Sequence, residues 1–179
     1  EPATLITDYL LTVLGGGLAW RLRGLTPRED APPSAWVYAL GLTAVSAFLG
    51  GTFHGFGPEM PIAGARTLWL LALVGIAGCA AALEIGLLRE FPPMGAFRFL
   101  RALPVLKLAA AIGLLLAQPV FLVAIIAYGL SLVAWTVAAL LSRRAWAQAM
   151  LTAVGLSVLA AVVQQKRWAP APWFNHNDL

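Results

Sequence analysis

Long apolar stretches recur along this chain, and short polar or proline-containing segments separate them. The stretches cover residues 3–20, 35–56, 65–88, 102–117, 119–141 and 146–165. Most reach about 18 residues or more, the length at which an α-helix crosses the hydrocarbon core of a bilayer. The alternation of polar and apolar positions that a transmembrane barrel needs is missing. Because backbone in lipid must satisfy its own hydrogen bonds, the sequence predicts an all-α polytopic transmembrane bundle with six spans.

Composition supports a membrane protein with a single domain. The 179 residues are 60% hydrophobic and 11% charged, whereas soluble domains are about 25% charged, and the mean hydropathy is +0.82. We therefore predict one integral membrane domain over residues 1–179. The net charge of +4 comes from short basic loops, which indicates orientation in a membrane rather than nucleic-acid binding. Cys79 is the single cysteine, so a disulfide within the chain is excluded.

Basic residues predict how the bundle is oriented. The loops after the first, third and fifth segments contain Arg21, Arg23, Arg28, Arg89, Arg98, Arg101, Arg143 and Arg144. The opposite side carries only Arg66, Lys166 and Arg167. By the positive-inside rule the arginine-rich side is cytoplasmic, which places the N-terminus outside. Lys107 lies within the fourth segment, and we expect its ammonium group to snorkel to the interface.

Several polar side chains fall near the outer ends of the predicted helices. Asp8 lies near the start of the first segment, and His54 lies at the end of the second, which runs outward. Gln164 and Gln165 end the sixth segment at the same level, and His176 follows after a proline-containing loop. Ionisable groups at membrane depth are costly and therefore mark candidate functional sites. We expect Asp8, His54 and His176 to face inward, with the two histidines within about 10 Å, the reach of a shared metal site.

Each of these residues also has a simpler interpretation. Asp8 could be an ordinary acid in the first turns of a helix, stabilised by the helix dipole. His54 could be an interfacial histidine bonded to a backbone carbonyl. Gly51 and Gly55 flank it and predict close packing against a neighbouring helix. Glu84 falls near the cytoplasmic end of its helix and does not join the outer group. The shared depth, rather than any one residue, points to a site.

Four short motifs resemble an uncharacterised family of bacterial seven-helix membrane proteins. In chain order they are Thr7-Asp8-Tyr9, Gly50-Gly51-Thr52-Phe53-His54-Gly55, Val163-Gln164-Gln165 and Phe174-Asn175-His176-Asn177-Asp178-Leu179. That family is similar to the CREST superfamily, which includes alkaline ceramidases and adiponectin-type receptors. The resemblance implies a zinc-dependent hydrolase that cleaves an amide or ester of a lipid in the bacterial inner membrane.

Carried onto this sequence, the resemblance implies His54 and His176 as zinc ligands. Asp8 would act as a further ligand or as the general base, and Asp178 is another source of the third ligand. Zinc in such a site activates water and polarises the scissile carbonyl. These residues and this metal form the first functional hypothesis.

The sequence departs from the superfamily pattern at three points. The superfamily serine is expected four residues before His54, where Gly50 stands, and Ser46 lies one turn further away. The aspartate expected near the second and third helices has no match, so Asp8 would replace it from the first helix. In the superfamily the chain continues through a seventh helix that carries another histidine. Here that helix is predicted to start near Asn175, and the given sequence ends at Leu179.

Two other classes of function stay open at this point. One is a non-catalytic integral membrane subunit, which packs against partner subunits through its glycine faces and aromatic belt. The other is a cofactor binder with His54 as the axial ligand of a haem or a chlorin. Stoichiometric zinc, a fixed co-purifying partner or a Soret band would distinguish the three.

Overall fold

The computed structural model describes residues 2–25, 34–91, 95–142 and 146–165. These residues form six α-helices: α1 (Pro2–Leu25), α2 (Ala35–Phe56), α3 (Ile62–Glu90), α4 (Leu103–Ala117), α5 (Phe121–Leu141) and α6 (Trp146–Gln165). Two 3₁₀ helices, Gly57–Glu59 and Gly95–Ala102, precede α3 and α4. The described residues contain no strand, which confirms the prediction of an all-α bundle.

Four regions of the described chain are long and apolar enough to cross a bilayer. They are Ala35–Glu59, Ile62–Glu90, Arg98–Ala117 and Phe121–Leu141. The first helix has 24 residues, but Asp8, Arg21 and Arg23 make it more polar than these four. The apolar part of α6 is shorter and covers Ala147–Leu159. All six predicted segments are therefore helical, and the regions of α2 to α5 have the clearest character of membrane spans.

The third helix is the centre of the bundle. It contacts α2, α4 and α5, while α1 packs along α2 and α6 packs against α5. Its buried positions are mostly alanine, with Gly75 and Leu73 among them. Small side chains allow helix backbones to approach closely, which supplies packing contacts that lipid cannot replace. The buried side chain of Trp135 on α5 adds a hydrogen bond from its indole nitrogen to the Leu83 carbonyl, 2.9 Å away.

The glycines around His54 lie in the contact between α1 and α2, as predicted. A Cβ atom on Gly51 would lie 2.8 Å from the Cβ of Asp8, and one on Gly55 would lie 3.0 Å from a methyl of Leu5. Gly41, on the same helix, has no atom within 4 Å of the corresponding position. The close packing therefore depends on particular glycines.

Replacing Gly51 with Leu is expected to destabilise the protein by about 1–3 kcal/mol, because the added side chain overpacks the contact with α1. Gly24 lies in the last turn of α1, and like Gly41 it faces open space. Gly41→Leu and Gly24→Leu are therefore matched controls that should not lower the midpoint of thermal unfolding in detergent. Equal losses in all three variants would show that Gly51 is not a contact residue.

The expectation that Lys107 snorkels to the interface is wrong. Its ammonium group pairs with the carboxylate of Glu84 on α3. It also donates hydrogen bonds to the Ala127 carbonyl and to the Ser131 hydroxyl of α5, each 2.8 Å long. A charge in a low-dielectric environment interacts strongly with a nearby opposite charge, so the buried partner holds the lysine inside the bundle. The cluster of Glu84, Lys107 and Ser131 links α3, α4 and α5.

Candidate functional site

A cavity of about 550 Å³ lies between α1, α2, α3 and α5. Most of its lining is apolar, including Leu11, Leu73 and Ile125. The polar or ionisable side chains that line it are Thr4, Asp8, Thr43, Ser46, His54, Cys79 and Tyr128. A largely apolar cavity with a few convergent polar groups is the usual form of a small-molecule site.

Asp8 and His54 line this cavity together. Asp8 comes from the N-terminal part of α1 and His54 from the C-terminal end of α2, and these ends lie side by side because the two helices run antiparallel. The two side chains are close enough to interact electrostatically. An oxygen of the Asp8 carboxylate lies 3.6 Å from the place where Gly50 would carry a Cβ atom. This is an ordinary van der Waals separation, so the carboxylate lies against the surface of α2.

Contacts between α1 and α2 fix the position of Asp8. Its neighbour Tyr9 shares a hydrogen bond of 3.1 Å with the Thr52 hydroxyl. The same ring stacks on Phe48, with 5.6 Å between the ring centroids. One turn further along, the Thr12 hydroxyl donates to the Ala44 carbonyl of α2 at 3.2 Å. In the motif Thr7-Asp8-Tyr9, the contacts of Tyr9 with α2 therefore help to position Asp8, in addition to the packing of Asp8 itself.

Phe53 and Trp69 contact the imidazole ring of His54. Its ring lies edge-on to Trp69 of α3, with 6.1 Å between centroids, and Trp69 also contacts Phe53 and Phe121 at 4.9 and 5.9 Å. The Trp69 indole nitrogen donates to the Pro119 carbonyl at 3.0 Å, which holds the ring in place. Sequence reasoning did not connect Trp69 with the site. The signal that could have found it is its position near the start of α3, at the level of the end of α2.

Ser46 lies deeper in the same cavity. It is eight residues before His54, which corresponds to about 12 Å along a helix with a rise of 1.5 Å per residue. Gly50, at the position where the CREST resemblance expects a serine, lies between them and also lines the cavity. The cavity therefore does contain a serine on α2, but one turn deeper than the resemblance implies.

The other predicted site residues lie outside the described structure. His176, Asp178 and the rest of the C-terminal segment fall beyond the described residues, as do the side chains of Gln164 and Gln165. Within the described ranges, no group of three His, Cys, Asp or Glu side chains could hold a metal ion. The expected approach of His54 and His176 to within about 10 Å stays a prediction.

The fold and the cavity define the class of this molecule: an integral membrane protein built as an α-helical bundle, with a partly open cavity between α1, α2, α3 and α5. The chain belongs to a family of unknown function, DUF6962, which it matches over residues 3–179. That match includes both the described bundle and the C-terminal segment with His176. No curated protein and no solved structure matches the chain.

Proposed function

We propose that this protein is a metal-dependent membrane hydrolase that cleaves an amide or ester of a lipid. The observation that supports this proposal is the meeting of Asp8 and His54 in one mostly apolar cavity. Its volume of about 550 Å³ falls within the range of about 300–1,000 Å³ typical of ligand pockets. A lipid chain can occupy such a cavity while its polar end lies against the carboxylate and the imidazole.

The two described donors are of the types that zinc binds. Catalytic zinc sites use three protein ligands, often histidine with a carboxylate, and keep a fourth position open. Asp8 and His54 supply two donors, and we propose His176 as the third, with Asp178 as the alternative. Bound zinc would lower the pKa of its water toward neutrality and polarise the carbonyl of the lipid.

The residues of the cavity have separate tasks in this proposal. The ring of Trp69 orients the imidazole of His54 and keeps water from that side of the site. Asp8 is held by the packing of α1 on α2, so its carboxylate is placed to bind the metal. The apolar side chains of Leu11, Leu73 and Ile125 offer a surface for the hydrocarbon chain.

Hydrolysis of fluorogenic lipid amides and esters by the purified protein tests this function. We expect activity that a chelator removes and added zinc restores. Asp8→Asn should lower the rate by about a hundredfold or more, because even residues that only support metal ligands contribute about 10–100-fold. Glu59→Gln, which changes an exposed acid just after α2, should leave the rate unchanged. Full activity of Asp8→Asn, or a wild-type protein inactive on all of these lipids, would refute the proposal.

The proposal includes an orientation in which the N-terminus lies outside the bacterial inner membrane. It is supported by the excess of arginine in the loops after the first, third and fifth helices. The cavity end that holds Asp8 and His54 would then face the outer leaflet.

Cysteine labelling of intact cells checks this orientation. Arg66→Cys changes an exposed position in the first turns of α3 and should react with a membrane-impermeant maleimide. Arg143→Cys should not react until the membrane is opened. The native thiol gives little background because Cys79 is buried. The reverse pattern of labelling would overturn the orientation, but Asp8 and His54 would still line the same cavity.

A non-catalytic subunit is the second candidate function. It is supported by the apolar surface of α1, where Val13, Leu14 and Trp20 are 71%, 64% and 77% exposed. This helix is less clearly a membrane span than α2 to α5, so a partner subunit could cover that face. Purification in a mild detergent with a fixed membrane partner, together with an inactive wild-type protein, would favour this function.

A further inference from the structure

A second cavity, of about 520 Å³, lies between α2, α3, α5 and α6. Most of its lining is apolar and includes Trp36, Trp135 and Met150. Among the described residues, those of α6 line only this cavity, and those of α1 line only the cavity that contains Asp8 and His54. The two are therefore different spaces, which we call the Asp8 cavity and the second cavity.

Both cavities follow the same faces of α3 and α5. The residues of α5 that line them recur every three or four positions: Phe121, Ile125, Tyr128, Leu132 and Trp135. On α3, Ile76 and Cys79 of the Asp8 cavity continue at the same spacing with Leu83 and Gly86 of the second cavity. Residues three or four positions apart lie on one side of a helix. The two cavities therefore lie end to end along one groove between α3 and α5.

Tyr128 lies where the two cavities meet. Of the described residues, it is the one that lines both. Its ring also packs against a buried cluster that contains Cys79, Leu83 and Trp135. A large side chain held at this point closes the end of the Asp8 cavity that lies away from His54.

The distance from His54 to Tyr128 limits what the Asp8 cavity can hold. Trp69 contacts both His54 and Phe121. Tyr128 lies about 10 Å beyond Phe121 along the axis of α5. Cys79, the last residue of α3 in this cavity, lies about 15 Å beyond Trp69. An extended saturated chain advances about 1.25 Å per carbon. The cavity therefore accommodates about 8–12 carbons between His54 and Tyr128.

We infer that Tyr128 determines the length of the acyl chain that the Asp8 cavity accepts, and that the substrate is an amide or ester of a medium-chain fatty acid. The inference rests on the proposed function, which places the polar end of the lipid at Asp8 and His54. The chain runs from these residues between α3 and α5 and ends against the ring of Tyr128. Further carbons have no place in the groove, because the ring separates them from the second cavity.

Photoreactive fatty alcohols test where the end of a bound chain lies. Two are used, of the lengths of decanol and octadecanol, each with a diazirine at the end of its chain. They contain no scissile bond and no charge, so binding requires neither turnover nor a metal. Labelled peptides are located by mass spectrometry, and only labelling that an excess of plain decanol prevents is counted. In the wild type the short alcohol should label α3 or α5 near Cys79 and Tyr128, and neither alcohol should label α6.

The variant Tyr128→Ala joins the two cavities, so the long alcohol should then label α6. We expect this labelling to exceed that of the wild type by about fivefold or more, the ratio that corresponds to the smallest usual cost of overpacking. Tyr128→Phe keeps the ring and should behave like the wild type. Ile125→Ala is the matched control on the same face of α5. It widens only the Asp8 cavity and should leave α6 unlabelled.

Labelling of α6 by the long alcohol in the wild type would overturn the inference, whether or not the variants fold. So would a wild type that the short alcohol does not label, or a folded Tyr128→Ala whose α6 stays unlabelled. If Tyr128→Ala unfolds, the smaller change Tyr128→Leu carries the same expectation. A protein with the expected labelling but without hydrolytic activity would contradict only the proposed hydrolase.

Discussion

Replacing Lys107 with Met is expected to destabilise the bundle by about 3–5 kcal/mol, the usual effect of removing one partner of a buried ion pair. The Glu84 carboxylate would then keep a charge in an apolar environment, with only the Ser131 hydroxyl, 2.8 Å away, as its remaining neighbour in the cluster. The side chains of Lys107 and Glu84 are only 20% and 15% exposed, so solvent compensates little. Thermal unfolding in detergent measures the loss.

The double variant Glu84→Gln with Lys107→Met is the informative control. Because it removes both charges, we expect it to recover most of the stability that Lys107→Met loses. Arg66→Met, which removes an exposed cation at the start of α3, should change stability by less than about 0.5 kcal/mol. A double variant as unstable as Lys107→Met would show that the lysine acts through packing rather than through its charge.

Replacing His54 with Ala should abolish metal binding and lower hydrolysis by more than about a hundredfold, because the imidazole is one of the proposed zinc ligands. The fold should persist, since the ring contacts Trp69 and Phe53 edge-on rather than filling the core. Activity and metal content are measured on the same preparations.

Tyr38→Ala provides the comparison for this variant. Tyr38 lies on the same helix, is 52% exposed and does not line the cavity. It should therefore keep both metal and activity. If His54→Ala keeps its activity, or if both variants lose it equally, the assignment of His54 as a ligand is wrong.

Hydropathy predicted the helices well because spans in lipid are long and apolar. The bounds of α6 coincide with residues 146–165, whereas α1 continues past residue 20 to Leu25. The reason is physical: Arg21 and Arg23 end the apolar pattern, but arginine is a good helix former and does not end the helix. The predicted segment 119–141 begins two residues before α5, which starts at Phe121. Hydropathy therefore reports the extent of the apolar stretch, and the helix itself can be longer or shorter.

The site was only partly predictable, because a sequence gives depth in the membrane but not the neighbours at that depth. Asp8 and His54 were found because helix direction put them at one level, and the structure brings them into one cavity. The pairing of Lys107 with Glu84 could not be found in this way. It depends on the rotation of α3 and α4 about their axes, which their nearly uniform apolar surfaces do not specify. The same holds for Trp69 and for Tyr128.

Zinc content is the most direct measure of the central claim, that Asp8 and His54 belong to a metal site. The protein should be purified in detergent without chelator and without a polyhistidine tag, and its metals measured by elemental analysis. We predict about one zinc per chain in the wild type and in Glu59→Gln, and little in Asp8→Asn and His54→Ala, since a catalytic site needs three protein ligands. A wild-type protein that holds no metal after zinc is added, or variants that retain as much zinc as the wild type, would contradict the claim.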